Sequence, residues 1–317
     1  GDSSGGDGGG SADGDKTGGG RDGSVGWVSV VGHARPWNIG ACIEAVAAFV
    51  DAHQGGDERS VAALALLSSA SNVVCEWCSG TADRGAMALA AAAHDAAPGA
   101  LPLSTPDAVA SLRAAALVPA GSSDGGATPT PAGSWSAIVA ALRRVAETED
   151  RASVRDDAVL TLQRVLLAAE GLHAPAAHWL AVTHGTLMPM LAALGERCRH
   201  ARGGAEGRTA HERTARLAVS CVAKTFLQYL GAMTAASTPA QFTGAWLAVL
   251  DRMEALLRNA KSEELLEAVP EAVKNMLLVM SAQGVLAPGA PEGLWDTTWT
   301  RAAIIDPGLT PAIVGAK

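Results

Sequence analysis

The sequence predicts an all-α chain built as a row of stacked helix pairs. Apolar residues recur almost everywhere at the 3.6-residue period of one helix face, and period-2 alternation is nearly absent. The predicted helices are roughly 12–20 residues long and follow one another as separate apolar-faced units of varying spacing. Paired helices that lean on their neighbours fit this better than a compact four-helix bundle. No strict repeat is legible, so the architecture expected is a degenerate armadillo/HEAT-like α-solenoid with disordered Gly/Ala-rich insertions.

In chain order, residues 1–24 are glycine, serine and aspartate with almost nothing to bury, and read as a disordered tail. Residues 25–80 read as helical repeats, with "WVSVV" at Trp27–Val31 as the sole candidate strand. Residues 81–133 read as a low-complexity insertion, interrupted by one helix in "STPDAVASLRAAALV", where Pro106 and Asp107 suit a first turn. Residues 134–312 read as the C-terminal helical-repeat region, with a loop at 195–210 in "GERCRHARGGAEGRTAH".

Within that last region four apolar stripes stand out. Trp135, Ile138, Val139, Leu142 and Val145 form the first; Val219, Val222, Ala223, Phe226, Tyr229 and Leu230 the second. Trp246, Val249, Leu250, Met253, Leu256 and Leu257 form the third, and Val273, Met276, Leu277 and Met280 the fourth. Thr238-Pro239-Ala240-Gln241 predicts a capping box with proline at the first helical position, where its missing N–H costs nothing. Ser262-Glu263-Glu264 predicts a hydroxyl cap followed by carboxylates that suit the helix dipole. Pro270 predicts a kink or a boundary. Gly284 fits the position just past a helix, Pro288 and Pro291 prevent continuation, and Trp295 and Trp299 restart a helix on one face.

Composition excludes several function classes. Lys+Arg 24 against Asp+Glu 32 gives a net charge of −8, which argues against generic nucleic-acid binding. Five cysteines at irregular spacing make no disulfide framework, so a reducing compartment is expected. No apolar run approaches the roughly 20 residues that span a bilayer. The first residue is glycine rather than methionine, which fits a fragment of a longer product.

Catalytic signals are equally sparse. Cys75-Glu76-Trp77-Cys78 is a CxxC on a helical pattern, without further zinc ligands at matching spacing or a redox βαβ context, and reads as two half-buried helix cysteines. His173, His178 and His184 lie near a helix junction and read as solvated or capped rather than as metal ligands. No phosphate-loop, dinucleotide or nucleophile-elbow pattern occurs. Trp135, Trp246, Trp295 and Trp299 read as wedges between helices. No cofactor is expected.

The segment "SEELLEAVPEAVKNMLLVMSAQGVL" followed by "LWDTTW" resembles the C-terminal end of the large ARF guanine-nucleotide exchange factors of the GNOM/Gea/GBF class. "WLAVLDRMEALL", "CVAKTFLQYL" and "WSAIVAALRRVAETEDRASVRDDAVLTLQRVL" continue the likeness upstream to Trp135. The motif positions are Trp135, Trp246, Arg252, Met253, Glu254, Pro270, Lys274, Asn275, Gly284, Trp295 and Trp299, most of them structural in character. The resemblance implies the region downstream of a Sec7 domain. It implies a non-catalytic regulatory and recruiting arm without exchange activity of its own, in a cytoplasmic protein drawn to Golgi membranes. ARF would then meet the Sec7 domain of the parent, and this region would meet early-secretory membrane or membrane-bound proteins. A stand-alone helical adaptor that binds a protein partner is the alternative expectation.

Overall fold

A computed structural model of the chain describes residues 36–52, 56–78 and 130–315. All regular structure among them is helical, as the periodicity predicts. The candidate strand at 27–31, the helix expected within 104–118, the glycine-rich tail and nearly all of the insertion lie outside the described residues.

The main helices alternate between two layers. One layer holds α1 (Pro36–Asp51), α3 (Pro131–Thr148), α6 (Met188–Arg199), α9 (Pro239–Leu257) and α11 (Leu294–Ile305). The other holds α2 (Gly56–Cys78), α4 (Ala152–Leu167), α7 (Gly204–Gln228), α10 (Glu263–Ala282) and a closing 3-10 turn at Pro311–Val314. Each helix touches its antiparallel partner and its successor in the same layer, so α2 meets α4, α4 meets α7, and α7 meets α10. This is an all-α helical-repeat solenoid. Two short helices, α5 (Ala176–Val182) and α8 (Leu230–Ala236), interrupt the alternation and pack on each other.

The apolar stripes read from sequence form the interlayer core. Trp135, Ile138, Leu142, Trp246, Val249, Val273, Met276 and Met280 are all fully buried. A buried tryptophan removes up to about 250 Å² from water, worth several kcal/mol at ~25 cal/mol per Å² before side-chain entropy is counted.

Local chemistry sets the helix ends. Thr130 accepts from Gly133 N and Pro131 occupies the first helical position, so α3 begins three residues before the domain boundary expected at 134. The Thr238–Gln241 capping box closes both ways, at 3.3 and 2.9 Å. Ser262 caps α10 through Leu265 N. Pro270 lies inside α10 and neither ends it nor starts it. Its missing N–H leaves the carbonyl of Leu266 without a helical partner, and Leu266 is 44% exposed, so water can serve that oxygen. Past α10, Gly284 takes φ +72°, and the N–H groups of Val285 and Leu286 both return to the Met280 carbonyl.

One boundary requires correction. The loop expected at 195–210 contracts to His200–Gly203, because α6 runs to Arg199 and α7 starts at Gly204. Glu196, Arg197, Arg199, Glu206 and Arg208 are good helix formers that composition alone had grouped with the glycines. Only Gly203 and Gly204, at φ +90° and +70°, need the left-handed backbone that breaks the helix. The resulting α7 has 25 residues, longer than expected.

Candidate interaction surface and its polar edge

Helices that alternate between two layers leave the solenoid two edges, one for each kind of turn. The edge where the first-layer helices hand over to the second is held by buried charge. Arg155, at the start of α4, is 1% exposed and donates four hydrogen bonds from its guanidinium. Its Nε donates to Thr214 Oγ1 at 2.9 Å, Nη1 to the carbonyls of Glu149 and Asp150, and Nη2 to the Ala210 carbonyl. Burial makes the guanidinium somewhat easier to deprotonate than usual, and the Arg197 charge adds to this.

The same device recurs along the edge. Arg151, in the α3–α4 turn, donates back to the Val50 carbonyl at the end of α1, to Ser60 on α2, and to Glu149. Arg197, at the end of α6, donates to the Glu147 and Glu149 carbonyls at 3.0 and 2.9 Å and to Asp150 at 2.6 Å. Glu212 on α7 is 1% exposed and accepts the N–H groups of Lys261 and Ser262 in the α9–α10 turn. Turn groups that would otherwise be orphaned at helix ends therefore bond to a side chain from an adjacent pair.

A recess of about 560 Å³ opens on this edge between the end of α6 and the start of α7. Arg155, Arg197, Arg202 and His211 line it, opposite Asp150. Burial, with the charges of Arg155 and Arg197, pushes the His211 imidazole down to about 4, against the opposing pull of Asp150 and Asp156. A smaller groove of about 160 Å³ lies between α6 and α9, lined by Arg199, Arg252 and Arg258.

The opposite edge is aromatic. Trp179 of α5 stacks on Tyr229 with centroids 3.3 Å apart and planes 5° from parallel. It meets Trp135 edge-on at 6.1 Å, and His178 fills the angle between them. The Tyr229 hydroxyl donates to the Leu166 carbonyl at 2.7 Å, and burial raises its pKa. His178 is lowered by burial. His173 caps a 3-10 turn with φ +46° and His184 lies in a π-helical turn, so the three histidines do not converge. The described residues contain no group of three or more metal-ligating side chains. Cys75 is buried on α2, where desolvation raises its thiol.

The motif residues gather mainly on the packing of α9, α10 and α11. Trp246 Nε1 donates to the buried Thr298 hydroxyl at 2.9 Å. Met253 is buried, and buried Glu254 pairs with Arg258 and with Arg301 at 3.5 Å. Trp295 meets Trp299 edge-on at 5.4 Å. Arg252, Lys274 and Asn275 are exposed, with Lys274 near Glu271 at 3.5 Å. Pro270 and Lys274 line a groove of about 640 Å³ beside Ile305–Leu309. Sequence reasoning missed Arg151, Arg155, Arg197, His211 and Glu212. A signal existed for two of them: Arg155 and Glu212 each continue an otherwise apolar helical stripe, to Val159 and Leu162 and to Ala215 and Val219.

Comparison with known proteins bears on the whole assembly. The family model described as "GBF1-like, tetratrico peptide repeat region" matches residues 135–309, more than half of the chain. The chain is 29% identical over 285 residues to the ARF guanine-nucleotide exchange factor GNOM of Arabidopsis thaliana, covering 87% of this chain and 17% of that protein. It is 27% identical over 285 residues to the ARF guanine-nucleotide exchange factor GNL1 of the same plant, with the same coverage. Over 167 residues it is 35% identical to the Golgi-specific brefeldin A-resistance guanine nucleotide exchange factor 1 homolog of Caenorhabditis elegans, covering 53% of this chain and 8% of that protein. No solved structure matches it significantly.

Proposed function

Because the chain belongs to the GBF1-like tetratrico peptide repeat region family, we propose that it serves as the non-catalytic regulatory and recruiting arm of an ARF guanine-nucleotide exchange factor in Golgi vesicle trafficking. The observation that carries this reading is the family match over 135–309, which begins on α3 and ends just past α11, and so takes in both layers of the solenoid from α3 onward. The relatives are exchange factors by name, and the chain spans only 17% of the length of the two plant proteins.

The physical character of the molecule supports such a role. A row of helix pairs presents a long surface, which suits contact with other macromolecules. On this reading ARF meets a Sec7 domain elsewhere in the parent. The arm meets early-secretory membrane or membrane-bound proteins, the parent is cytoplasmic and peripherally recruited, and nucleic acid is not a partner. No described helix is long and apolar enough to cross a membrane, which is compatible with peripheral recruitment.

Two measurements test the proposal. The isolated chain should leave GDP release from ARF at its spontaneous rate, and acceleration would assign catalysis to these helices. Deleting 135–309 from the parent should reduce its Golgi association or change its ARF-GTP output. A parent unaltered in both respects would remove the regulatory assignment.

A further inference from the structure

The recess between α6 and α7 has a chemistry of its own. The chain as a whole carries −8, yet this recess is lined by three guanidinium groups, Arg155, Arg197 and Arg202, with His200 and His211 beside them. Two carboxylates share the lining, and both are already engaged. Asp150 accepts from Arg197 at 2.6 Å, and Glu196 pairs with Arg199 and lies 3.6 Å from His200.

Unused hydrogen-bonding capacity remains. Arg197 Nε and His211 Nδ1 are both buried without a protein partner. Leaving such groups unmade costs free energy. The first turn of α7, which reaches the recess at Gly207, has no side-chain cap, so the positive end of a 25-residue helix lies here as well.

The turn is shaped to hold this arrangement. Gly203 and Gly204 take positive φ, and a Cβ on Gly207 would overlap the Arg202 carbonyl. The chain thereby folds tightly back, keeping Arg202 exposed at the mouth, where it forms no ion pair with a described residue.

We propose that this recess binds a phosphate-class oxyanion, with Arg197, Arg202 and His211 as its ligands. A phosphate monoester offers several strong acceptors on one centre, which matches forked guanidinium donors better than a lone carboxylate does. Burial is the main cause that pushes His211 down to about 4, and the Arg155 and Arg197 charges add to it against Asp150 and Asp156.

The test uses the full chain and follows the histidine resonances by NMR against pH, with inorganic phosphate or with chloride at equal ionic strength. Phosphate should raise the apparent pKa of His211 and leave the exposed His173 and His184 unmoved. Arg202→Gln removes an exposed side chain, so the fold should survive, and it should weaken phosphate binding about tenfold. Neutral phosphatidylcholine vesicles with and without a phosphomonoester lipid then distinguish the source. Arg202-dependent binding to the phosphomonoester vesicles makes a headgroup the ligand, and response to soluble phosphate alone makes it a free ester. Either result supports the site. If chloride reproduces the His211 shift, or Arg202→Gln leaves phosphate affinity unchanged, the proposal is overturned.

Discussion

The two edges of the solenoid solve one problem by different physics. Every turn between helices leaves backbone donors and acceptors unpaired, and every turn must also fix where the next helix lies. On the first edge Arg151, Arg155, Arg197 and Glu212 answer the turn backbone directly with charge-assisted hydrogen bonds. On the second, Trp135, Trp179 and Tyr229 fill the space between helices and add only one bond to a carbonyl. The polar edge therefore depends on geometry, and the aromatic edge on volume.

The strongest way to break this comparison is to empty the aromatic edge. Trp179→Ala removes a 5%-exposed ring packed against both Trp135 and Tyr229, and should lower stability by about 3–5 kcal/mol in urea unfolding. Trp179→Phe, which keeps most of the volume, should recover more than half of that loss if volume is what matters.

Arg155→Ala should cost about 3 kcal/mol, because it removes four hydrogen bonds of a buried guanidinium that tie the α3–α4 turn to α7. Here an isosteric rescue should fail: Arg155→Met restores volume and none of those four bonds. A full rescue by methionine would show that the polar edge works by volume too.

His211 sharpens the contrast through pH. Its folded pKa is depressed from 6.5 to about 4, so the unfolded chain binds more protons between those values. Stability should therefore fall as pH drops from above 6.5 towards 4, by roughly 1–2 kcal/mol once solvent screening is allowed for, and His211→Gln should flatten that slope. His178, lowered by burial on the aromatic edge, contributes in the same direction, so the double variant is the control.

Smaller effects are expected at helix ends and on the surface. Thr238→Ala opens the capping box of α9 and should cost about 1 kcal/mol in thermal unfolding. Arg216→Gln breaks an exposed pair with Glu264 at 3.3 Å and should change stability by less than about 0.5 kcal/mol, vanishing in high salt.

Much of the architecture was legible because its signals are local. Thr238 with Gln241, Ser262, Gly284 and the Trp295–Trp299 spacing each act within one or two turns of their own position, and the structure uses all of them as the sequence implies. The polar edge was far less legible. Arg155 and Thr214 are 59 positions apart, and Glu212 is 49 from Lys261, so nothing near either residue announces its partner. The break at 195–210 was misjudged for a related reason. Glycine and arginine stand together there as a break in composition, whereas Arg197, Arg199 and Arg208 are helical, and only Arg202 lies in the turn, where it lines the recess with Arg197.

The uneven edges also bear on how such a rod would deform. Hydrogen bonds to turn carbonyls hold the spacing of successive pairs within tenths of an ångström, and they lengthen only by breaking. Stacked rings can slide and tilt over a wider range at small cost. A force that changes the curvature of the superhelix should thus leave the polar edge at nearly constant length, like the spine of a fan. The aromatic edge would spread or close. Strain applied at one end would reach the other as a change in splay, and α5 and α8, packed on each other outside the regular alternation, would be the first elements to register it.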